Sequence, residues 1–219
     1  MNGKLIVFEG LDASGKSTQA KLLYGYIKTV NEKVKFVTFP NYLEDSSAPV
    51  KMYLNSKISE NLDDINSYAA SSFFAIDRYI TYKKNWEKYY KNGYTIIADR
   101  YTTSNFIYQM SKLDENNWDN YLTWIQDYEY CKLDLPKPDK VIYLRMPVLL
   151  SQKLLKERAN YEIDLHEKNI EFLFKCRITA EYVYRKYNWL IVDCASKGNP
   201  RSKYEVFKDV LEKLRDFIT

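Results

Sequence analysis

The chain has 219 residues, of which 46% are hydrophobic and 28% charged, and its formal net charge is +4. These values are ordinary for a folded globular protein, and a chain of this length can bury a sizeable core, so we expect one domain over residues 1–219. The small positive charge suits small anionic ligands as well as weak contact with nucleic acid, and we expect no stable nucleic-acid partner.

The cysteine pattern and the hydropathy predict the cellular compartment of the protein. Cys131, Cys176 and Cys194 are widely spaced and odd in number, which argues against a disulfide framework or a zinc site and fits a reducing cytoplasm. The chain enters a strand at once, which predicts no signal peptide, and no apolar run is long enough to span a membrane. We therefore expect a cytoplasmic protein with no membrane partner.

A strand, a glycine-rich loop and a helix are predicted in the first part of the chain. Residues 5–8 form an apolar run typical of a strand buried on both faces, and residues 18–26 have helical spacing. The loop between them has the two glycines, the lysine and the hydroxyl of the phosphate-binding pattern, and it consists of Gly10, Leu11, Asp12, Ala13, Ser14, Gly15, Lys16 and Ser17, followed by Thr18. Because strand, loop and helix follow in the order that the motif requires, the sequence predicts a polyphosphate site.

Each residue type in the loop has a chemical reason. Gly10 and Gly15 allow backbone angles and a close approach that a side chain would prevent. Backbone N–H groups and the positive end of the following helix can then surround a polyphosphate. Lys16 would reach the β- and γ-phosphates, and Ser17 would place its hydroxyl on Mg²⁺.

Further along, short apolar runs alternate with helical segments. Strands are predicted over residues 34–39, 95–98, 141–144 and 189–192. One or two helices are predicted over residues 65–90, and further helices over residues 50–54, from 102 onward, 118–130, 148–158, 169–187 and 204–217. Five strands that alternate with helices predict an α/β fold, in which a five-stranded parallel sheet is flanked by helices on both faces.

An aromatic stripe in residues 65–90 contains a pair of charged residues. Phe74 belongs to the stripe, and its periodicity alone favours core packing. Asp77 and Arg78 interrupt the stripe, so Arg78 is either a solvated helix residue or a residue that faces a cleft.

Polar residues follow two of the predicted strands at the edge where open α/β sheets bind ligands. Pro40 ends the second strand, and residues 41–49 form a polar loop after it. Asp99 and Arg100 end the third strand, where this position favours a functional role over a purely structural ion pair. Residues 102–105 then start a helix, with Ser/Thr capping chemistry.

These features together resemble the thymidylate kinases, which are nucleoside monophosphate kinases of the P-loop NTPase type. The resemblance covers nearly the whole chain. Its most specific stretches are Phe8-Glu9-Gly10-Leu11-Asp12, Gly15-Lys16-Ser17-Thr18, Phe39-Pro40, Phe74 with Asp77-Arg78, and Asp99-Arg100-Tyr101 with Ser104.

The resemblance implies an enzyme that transfers the γ-phosphoryl group of ATP to dTMP, giving dTDP for dTTP synthesis, with Mg²⁺ as cofactor and a homodimer as the assembly. ATP would lie on residues 10–18, and its adenine would be held largely by the backbone of Asp193, Cys194 and Ala195. Ser17 and Asp99 would serve the metal and its waters. Lys16 would be one of the catalytic residues.

The resemblance also implies roles for the residues around dTMP. Phe74 would stack on thymine, Arg78 would donate to a thymine carbonyl, and Asn105 would read the other edge of the base. Tyr108 would pack by the deoxyribose, and Asp12 would contact the sugar and orient the reacting groups.

Further residues would surround the acceptor phosphate. Arg100 would clamp this phosphate, and Pro40 and Ser104 complete the dTMP-binding set. A polar segment of about residues 153–168 resembles the cover that closes over the phosphates in this family, and Arg158 would supply the catalytic arginine from it. The phosphate loop carries Ala13 and Ser14 where some relatives carry that arginine.

Two alternatives stay open at the level of the sequence. Relatives often carry an acid or an arginine after Phe39-Pro40, whereas this chain has Asn41-Tyr42, so the acceptor could be another deoxynucleotide or a deoxynucleoside. The other alternative is an ATP-dependent switch protein without nucleotide kinase activity. The guanine-specific Asn-Lys-x-Asp motif of GTPase switches is absent from the sequence.

Overall fold

Five parallel strands form the central sheet of the protein. The structure is a computed structural model and describes residues 2–59, 61, 64–157 and 169–218. The strands are β1 (Lys4–Gly10), β2 (Val34–Thr38), β3 (Thr95–Asp99), β4 (Lys140–Arg145) and β5 (Leu190–Asp193). Their spatial order is β2-β3-β1-β4-β5, and every pairing is parallel. The predicted sheet is thereby confirmed.

Helices connect the strands and cover the sheet. They are α1 (Lys16–Val30), α2 (Ala48–Leu54), α3 (Ser67–Thr81), α4 (Glu87–Lys91), α5 (Thr103–Tyr108), α6 (Trp118–Gln126), α7 (Val148–Lys156), α8 (Ile170–Lys186) and α9 (Lys203–Ile218). Two two-residue strands, Ala195–Ser196 and Asn199–Pro200, form a small antiparallel hairpin after β5.

The central strand β1 has a core on each of its faces. Successive side chains of a strand point to opposite faces, and residues 5–8 of β1 are all fully buried. Leu5 and Val7 belong to the larger core, which includes residues of α3, α5, α6 and α8. Ile6 and Phe8 belong to the other core, with residues of α1 and α9. A strand covered on both faces reads as a continuous apolar run, which is why this one is visible in the sequence.

The register of the strands decides which residues meet at the ligand edge. Phe8 of β1 lies opposite Asp99 of β3, and Gly10 lies opposite Leu144 of β4. The phosphate-binding loop and the Asp99-Arg100 pair therefore leave the sheet side by side, at the carboxyl ends of parallel strands.

Two of the predicted helical stretches contain a π-helical turn. A π-helical turn, Tyr82–Trp86, separates α3 from α4, and a second one, Asp127–Lys132, follows α6. The first turn divides residues 65–90, for which one or two helices were predicted, into α3 and α4, and the second ends the regular helix within the predicted range 118–130. The second turn carries Glu129, whose side chain is fully buried.

The predicted capping of α5 is wrong. Thr102 is the residue before the helix, but its hydroxyl bonds to the Tyr130 hydroxyl, and no side chain caps the helix. Thr103 donates its hydroxyl to Glu9 instead. Both hydroxyls are therefore used in tertiary contacts.

Two sequence-based expectations concern features outside the sheet. Within the part of the chain that the structure describes, no helix has both the length and the apolar character needed to cross a membrane. Cys131, Cys176 and Cys194 are all free thiols.

Arg158 and most of the predicted cover segment lie in residues 158–168, outside the described residues, so the cover and the single-domain assignment stay predictions.

We predict opposite effects for alanine at two glycines. Gly10 has φ +150°, and an added Cβ would lie 2.6 Å from Ser14 Oγ and 2.7 Å from the Leu144 carbonyl oxygen. Gly10→Ala should therefore lower the free energy of unfolding by about 1–3 kcal/mol. Gly25→Ala, in α1 with open space beside it, should raise it by about 0.5–1 kcal/mol. Urea denaturation of both variants measures these changes, and a Gly10→Ala protein as stable as the wild type would contradict this tight packing around Gly10.

Candidate active site

A cavity of about 420 Å³ opens at the carboxyl edge of the sheet. It brings together residues from β3, α3, α5, the phosphate-binding loop and the segment after β2. All the residues predicted to bind the acceptor line it, namely Asp12, Pro40, Phe74, Arg78, Arg100, Ser104, Asn105 and Tyr108. Residues that are far apart in the sequence thus share one site.

The phosphate-binding loop ends at a glycine with a left-handed backbone. Gly15 has φ +92° and immediately precedes α1, and an added Cβ there would meet no atom within 4 Å. A glycine is therefore favoured at this position by its backbone angle and not by close packing. Ser14 has a buried hydroxyl without a hydrogen-bond partner among the described residues. Ser17 and Thr18 are exposed on the first turn of the helix.

Asp12 is the centre of the charges in this site. Its carboxylate contacts Arg100 Nη2, lies 3.5 Å from Lys16 Nζ, and accepts a hydrogen bond from the Tyr108 hydroxyl at 3.3 Å. Burial by itself would raise the pKa of Asp12, but the positive charges of Arg100 and Lys16 hold it well below its ordinary value. Asp12 is therefore ionised and balances two cations.

Lys16 is buried at the bottom of the loop. Its ammonium group donates to the Leu11 carbonyl at 2.8 Å as well as facing Asp12. Burial first, and then the charge of Arg100, lower the pKa of Lys16 from its ordinary value. An additional negative charge at this place would counteract both effects.

Arg100 is held in an unusual backbone conformation. Its φ is +64°, and its N–H donates to the Phe8 carbonyl at 3.0 Å. The guanidinium lies over the Tyr108 ring, 5.0 Å from its centroid, and its ion-pair partner is Asp12 rather than the adjacent Asp99. Strained residues of this kind are concentrated at functional sites.

Arg78 is a cleft residue and not a solvated one. It is 2% exposed, and its guanidinium donates two hydrogen bonds to Glu129, from Nε at 2.7 Å and from Nη2 at 2.6 Å. Its neighbour Asp77 accepts from the Asn41 N–H at 3.0 Å and the Ser46 hydroxyl at 2.6 Å. The adjacent side chains of Asp77 and Arg78 therefore bind different partners. Asp77 binds the loop that carries Asn41, and so holds this loop against α3.

Phe74 takes part in core packing and also faces the cavity. Its ring packs edge-on against Tyr53, with 6.2 Å between centroids, and it lines the cavity wall. A partly buried ring at a cavity wall offers a face for stacking.

Glu9 is a buried carboxylate that the sequence reasoning did not assign to the site. It has no exposed surface and accepts hydrogen bonds from the Tyr101 N–H at 3.2 Å, the Thr103 hydroxyl at 2.7 Å and the Ser104 hydroxyl at 2.8 Å. Burial raises the pKa of Glu9, which these hydrogen bonds and the charge of Arg100 oppose. The signal in the sequence was an acid between Phe8 and Gly10 in an otherwise apolar strand.

The segment predicted to hold adenine lies beyond the cavity. Asp193 accepts two hydrogen bonds from Arg145, at 2.6 and 2.8 Å. The Cys194 N–H donates to the Arg145 carbonyl, and its carbonyl accepts from the Arg201 N–H. Ala195 begins the small hairpin. Asp193, Cys194 and Ala195 are thus held by β4 and by Arg201, and their contact with adenine stays a prediction.

The residues assigned to Mg²⁺ fit that ion. Ser17 is exposed at the start of α1, and Asp99 is partly exposed at the tip of β3. No cluster of three or more His, Cys, Asp or Glu residues occurs among the described residues. Mg²⁺ prefers oxygen ligands and takes few of them from protein when phosphates and waters supply the rest, so a hydroxyl and a carboxylate are a sufficient protein contribution.

Comparison with known proteins gives a consistent family. The family model described as thymidylate kinase matches residues 8–200. The chain is 31% identical to thymidylate kinase of Plasmodium falciparum, over 89% of this chain and 84% of that protein. It is 30% identical to a probable thymidylate kinase of Saccharolobus solfataricus, over 90% and 91% of the two chains. The solved structure of thymidylate kinase from Candida albicans superposes with a TM-score of 0.73 at 23% identity, over 98% and 92% of the chains.

The Glu9 contacts predict a graded loss of stability. Glu9→Ala leaves three donors at the start of α5 without their acceptor and should lower the free energy of unfolding by about 2–5 kcal/mol at pH 7. Glu9→Gln keeps one acceptor oxygen and should cost less. Urea denaturation of both variants measures the difference, and equal stability of wild type and Glu9→Ala would show that these hydrogen bonds contribute nothing.

Proposed function

The chain belongs to the thymidylate kinase family, and from this premise we propose that it transfers the γ-phosphoryl group of ATP to dTMP, giving dTDP and ADP. The observation that carries the proposal is the cavity in which all the predicted acceptor residues meet beside the phosphate-binding loop. Phosphoryl transfer requires two anionic substrates to be aligned and the charge on the moving group to be neutralised.

In the acceptor site, the base and the sugar are assigned to the inner wall of the cavity. Phe74 stacks on thymine, Arg78 donates to a thymine carbonyl, and Asn105 meets the adjacent edge of the base. Tyr108, whose hydroxyl donates to the Gly10 carbonyl at 3.2 Å, supports the deoxyribose together with Asp12. The burial of Arg78 and Asn105, each 2% exposed, supports this assignment because water then competes little for their hydrogen bonds.

The acceptor phosphate is assigned to Arg100, at the mouth of the cavity. Its planar guanidinium can donate two parallel hydrogen bonds to a phosphate, which a lysine cannot do. Pro40 shapes the wall on the side of β2. Ser104 lines the cavity, but its hydroxyl donates to Glu9, so we assign it to holding the start of α5.

The donor triphosphate is assigned to the N–H groups of residues 10–18 and to Lys16. Ser17 and Asp99 would hold Mg²⁺ directly or through water. When bound, Mg²⁺ neutralises phosphate charge and fixes the orientation of the phosphates. The contacts of Lys16 and Arg100 with Asp12 support a simple exchange, in which arriving phosphates replace Asp12 as the partner of these cations while Asp12 turns to the sugar.

Several parts of the proposal rest on the family resemblance. Arg158, in the cover segment, would supply a further positive charge beside the transferred phosphoryl group. Closure of the cover would exclude water from the reaction. The backbone around Cys194 would hold adenine. We propose that the protein is a homodimer, which the exposed apolar side chains of Tyr68 and Ile76 on α3 support. We also propose that it works in a reducing cytoplasm, which the free thiols support.

The proposal is tested by a coupled ADP-release assay with ATP and Mg²⁺. The acceptors dTMP, dUMP, dCMP, GMP, AMP and thymidine are supplied separately. We expect turnover with dTMP to exceed turnover with every other acceptor. Preferential turnover of thymidine would instead indicate a deoxynucleoside kinase, and turnover with none of them, with ATP binding intact, would overturn the proposed activity.

Arg100→Met should lower kcat/KM for dTMP by about 10²–10³-fold, because it removes a charged donor from the acceptor phosphate. Arg185→Met, at an exposed arginine paired with Glu181 on α8, is the matched control and should change kcat/KM by less than about twofold. Steady-state kinetics give both values, and thermal melting confirms that both variants are folded. A similar kcat/KM for Arg100→Met and the control would rule out the clamp.

A further inference from the structure

Glu129 is a buried carboxylate that the proposed phosphoryl transfer leaves without a role. It lies in the π-helical turn after α6 and has no exposed surface. Its Oε2 accepts from Arg78 Nε at 2.7 Å, and its Oε1 accepts from Arg78 Nη2 at 2.6 Å and from Asn105 Nδ2 at 3.0 Å. One carboxylate therefore joins the two side chains assigned to the base.

The contact with Glu129 fixes which way the Asn105 amide is turned. The oxygen and nitrogen of an amide are told apart by their hydrogen-bond partners. Asn105 Nδ2 donates to Glu129 and also to the Ser71 carbonyl, at 3.3 Å. Both amide hydrogens are used in these contacts, so the atom of this side chain that is left for a ligand is the acceptor Oδ1.

The same contact leaves Arg78 as a donor. A guanidinium has five N–H groups and no acceptor, and Glu129 takes two of them. Another group, Nη1, lies 3.4 Å from the Tyr101 carbonyl, which is a long contact. The base pocket therefore offers a donor at Arg78 beside an acceptor at Asn105.

This pair of groups matches one pyrimidine and opposes the other. Thymine has a carbonyl oxygen at C4 beside a protonated N3, which is an acceptor beside a donor. Cytosine has an amino group at C4 beside an unprotonated N3, which is the reverse. We infer that Glu129 is a positioning residue that sets the hydrogen-bond polarity of the base pocket and thereby the choice of dTMP over dCMP. The inference rests on the proposed function and adds to it the group that orients the base-reading side chains.

A glutamine at this position would break the arrangement whichever way it is turned. If its oxygen accepts from Arg78 Nε, its NH₂ group faces Arg78 Nη2 and Asn105 Nδ2, and Asn105 must flip to give an acceptor. If its oxygen accepts from Arg78 Nη2 and Asn105, its NH₂ group faces Arg78 Nε. In each case a buried donor loses its acceptor, and the side chains that meet the base lose their fixed positions.

The experiment compares wild type, Glu129→Gln and the control Glu181→Gln. Glu181 is likewise paired with an arginine, Arg185, but on the exposed surface of α8. Steady-state kinetics are measured with dTMP and with dCMP at saturating ATP, and with ATP varied at saturating dTMP. Thermal melting confirms the fold of each variant.

For Glu129→Gln we expect KM for dTMP to rise at least tenfold, with kcat and KM for ATP within about twofold of wild type. The ratio of kcat/KM for dTMP to that for dCMP should fall at least tenfold, while the control keeps the wild-type ratio. Unchanged KM and selectivity would overturn the inference, and so would a loss confined to kcat. A wild-type enzyme without dTMP turnover would instead refute the proposed function.

Glu129→Asp provides the second test, which decides the matter where Glu129→Gln does not fold. The aspartate keeps the charge that balances Arg78 but is one methylene shorter, so it can no longer hold Arg78 and Asn105 at once. The dTMP-to-dCMP ratio should again fall at least tenfold, and an aspartate variant with wild-type selectivity would overturn the inference.

Discussion

The ionic contact of Asp12 with Arg100 and Lys16 is the interaction on which the site depends. A site for two phosphate-bearing substrates needs cations close together, and these cations repel one another when no phosphate is present. Asp12 lies between them and holds both, and its own pKa is lowered by them. Asp12 thereby balances the two cations in the protein without substrate.

Two further carboxylates, both buried, also hold groups of the site in place. Glu9 holds the start of α5, and Glu129 holds the guanidinium of Arg78. Burying a charge is costly unless it is paired and hydrogen-bonded, and both acids meet that condition. The benefit is rigidity, because side chains that already occupy their positions lose little entropy when the substrate binds.

The sheet and the phosphate-binding loop were predictable because their signals are local. A strand buried on both faces is a continuous apolar run, as residues 5–8 are, and the loop motif needs only its neighbouring strand and helix. The position of Arg100 at the end of a strand indicated a functional role by itself, whereas the cleft position of Phe74 and Arg78 came from the family resemblance. Periodicity alone left Arg78 undecided and favoured a core role for Phe74.

The missed features all depend on contacts between distant parts of the chain. Glu129 is 51 residues from Arg78, and its burial follows from a π-helical turn that the 3.6-residue period does not reveal. The Thr102 hydroxyl bonds across the fold to Tyr130, so the expected cap is absent. Arg145 forms an ion pair with Asp193, 48 residues away, which no local pattern in the sequence indicates.

Arg78 and Arg100 should be in place before any substrate arrives, because the buried carboxylate of Glu129 and the partly buried one of Asp12 already hold their guanidinium groups. Nitrogen-15 NMR of the arginine side chains in the ligand-free protein measures this, through solvent exchange and rotation of each guanidinium. We expect Arg78 and Arg100 to exchange and rotate slowly, and exposed Arg185 to do both quickly. If Arg78 and Arg100 behave like Arg185 until dTMP is added, the substrate builds the site and the carboxylates do not preorganise it.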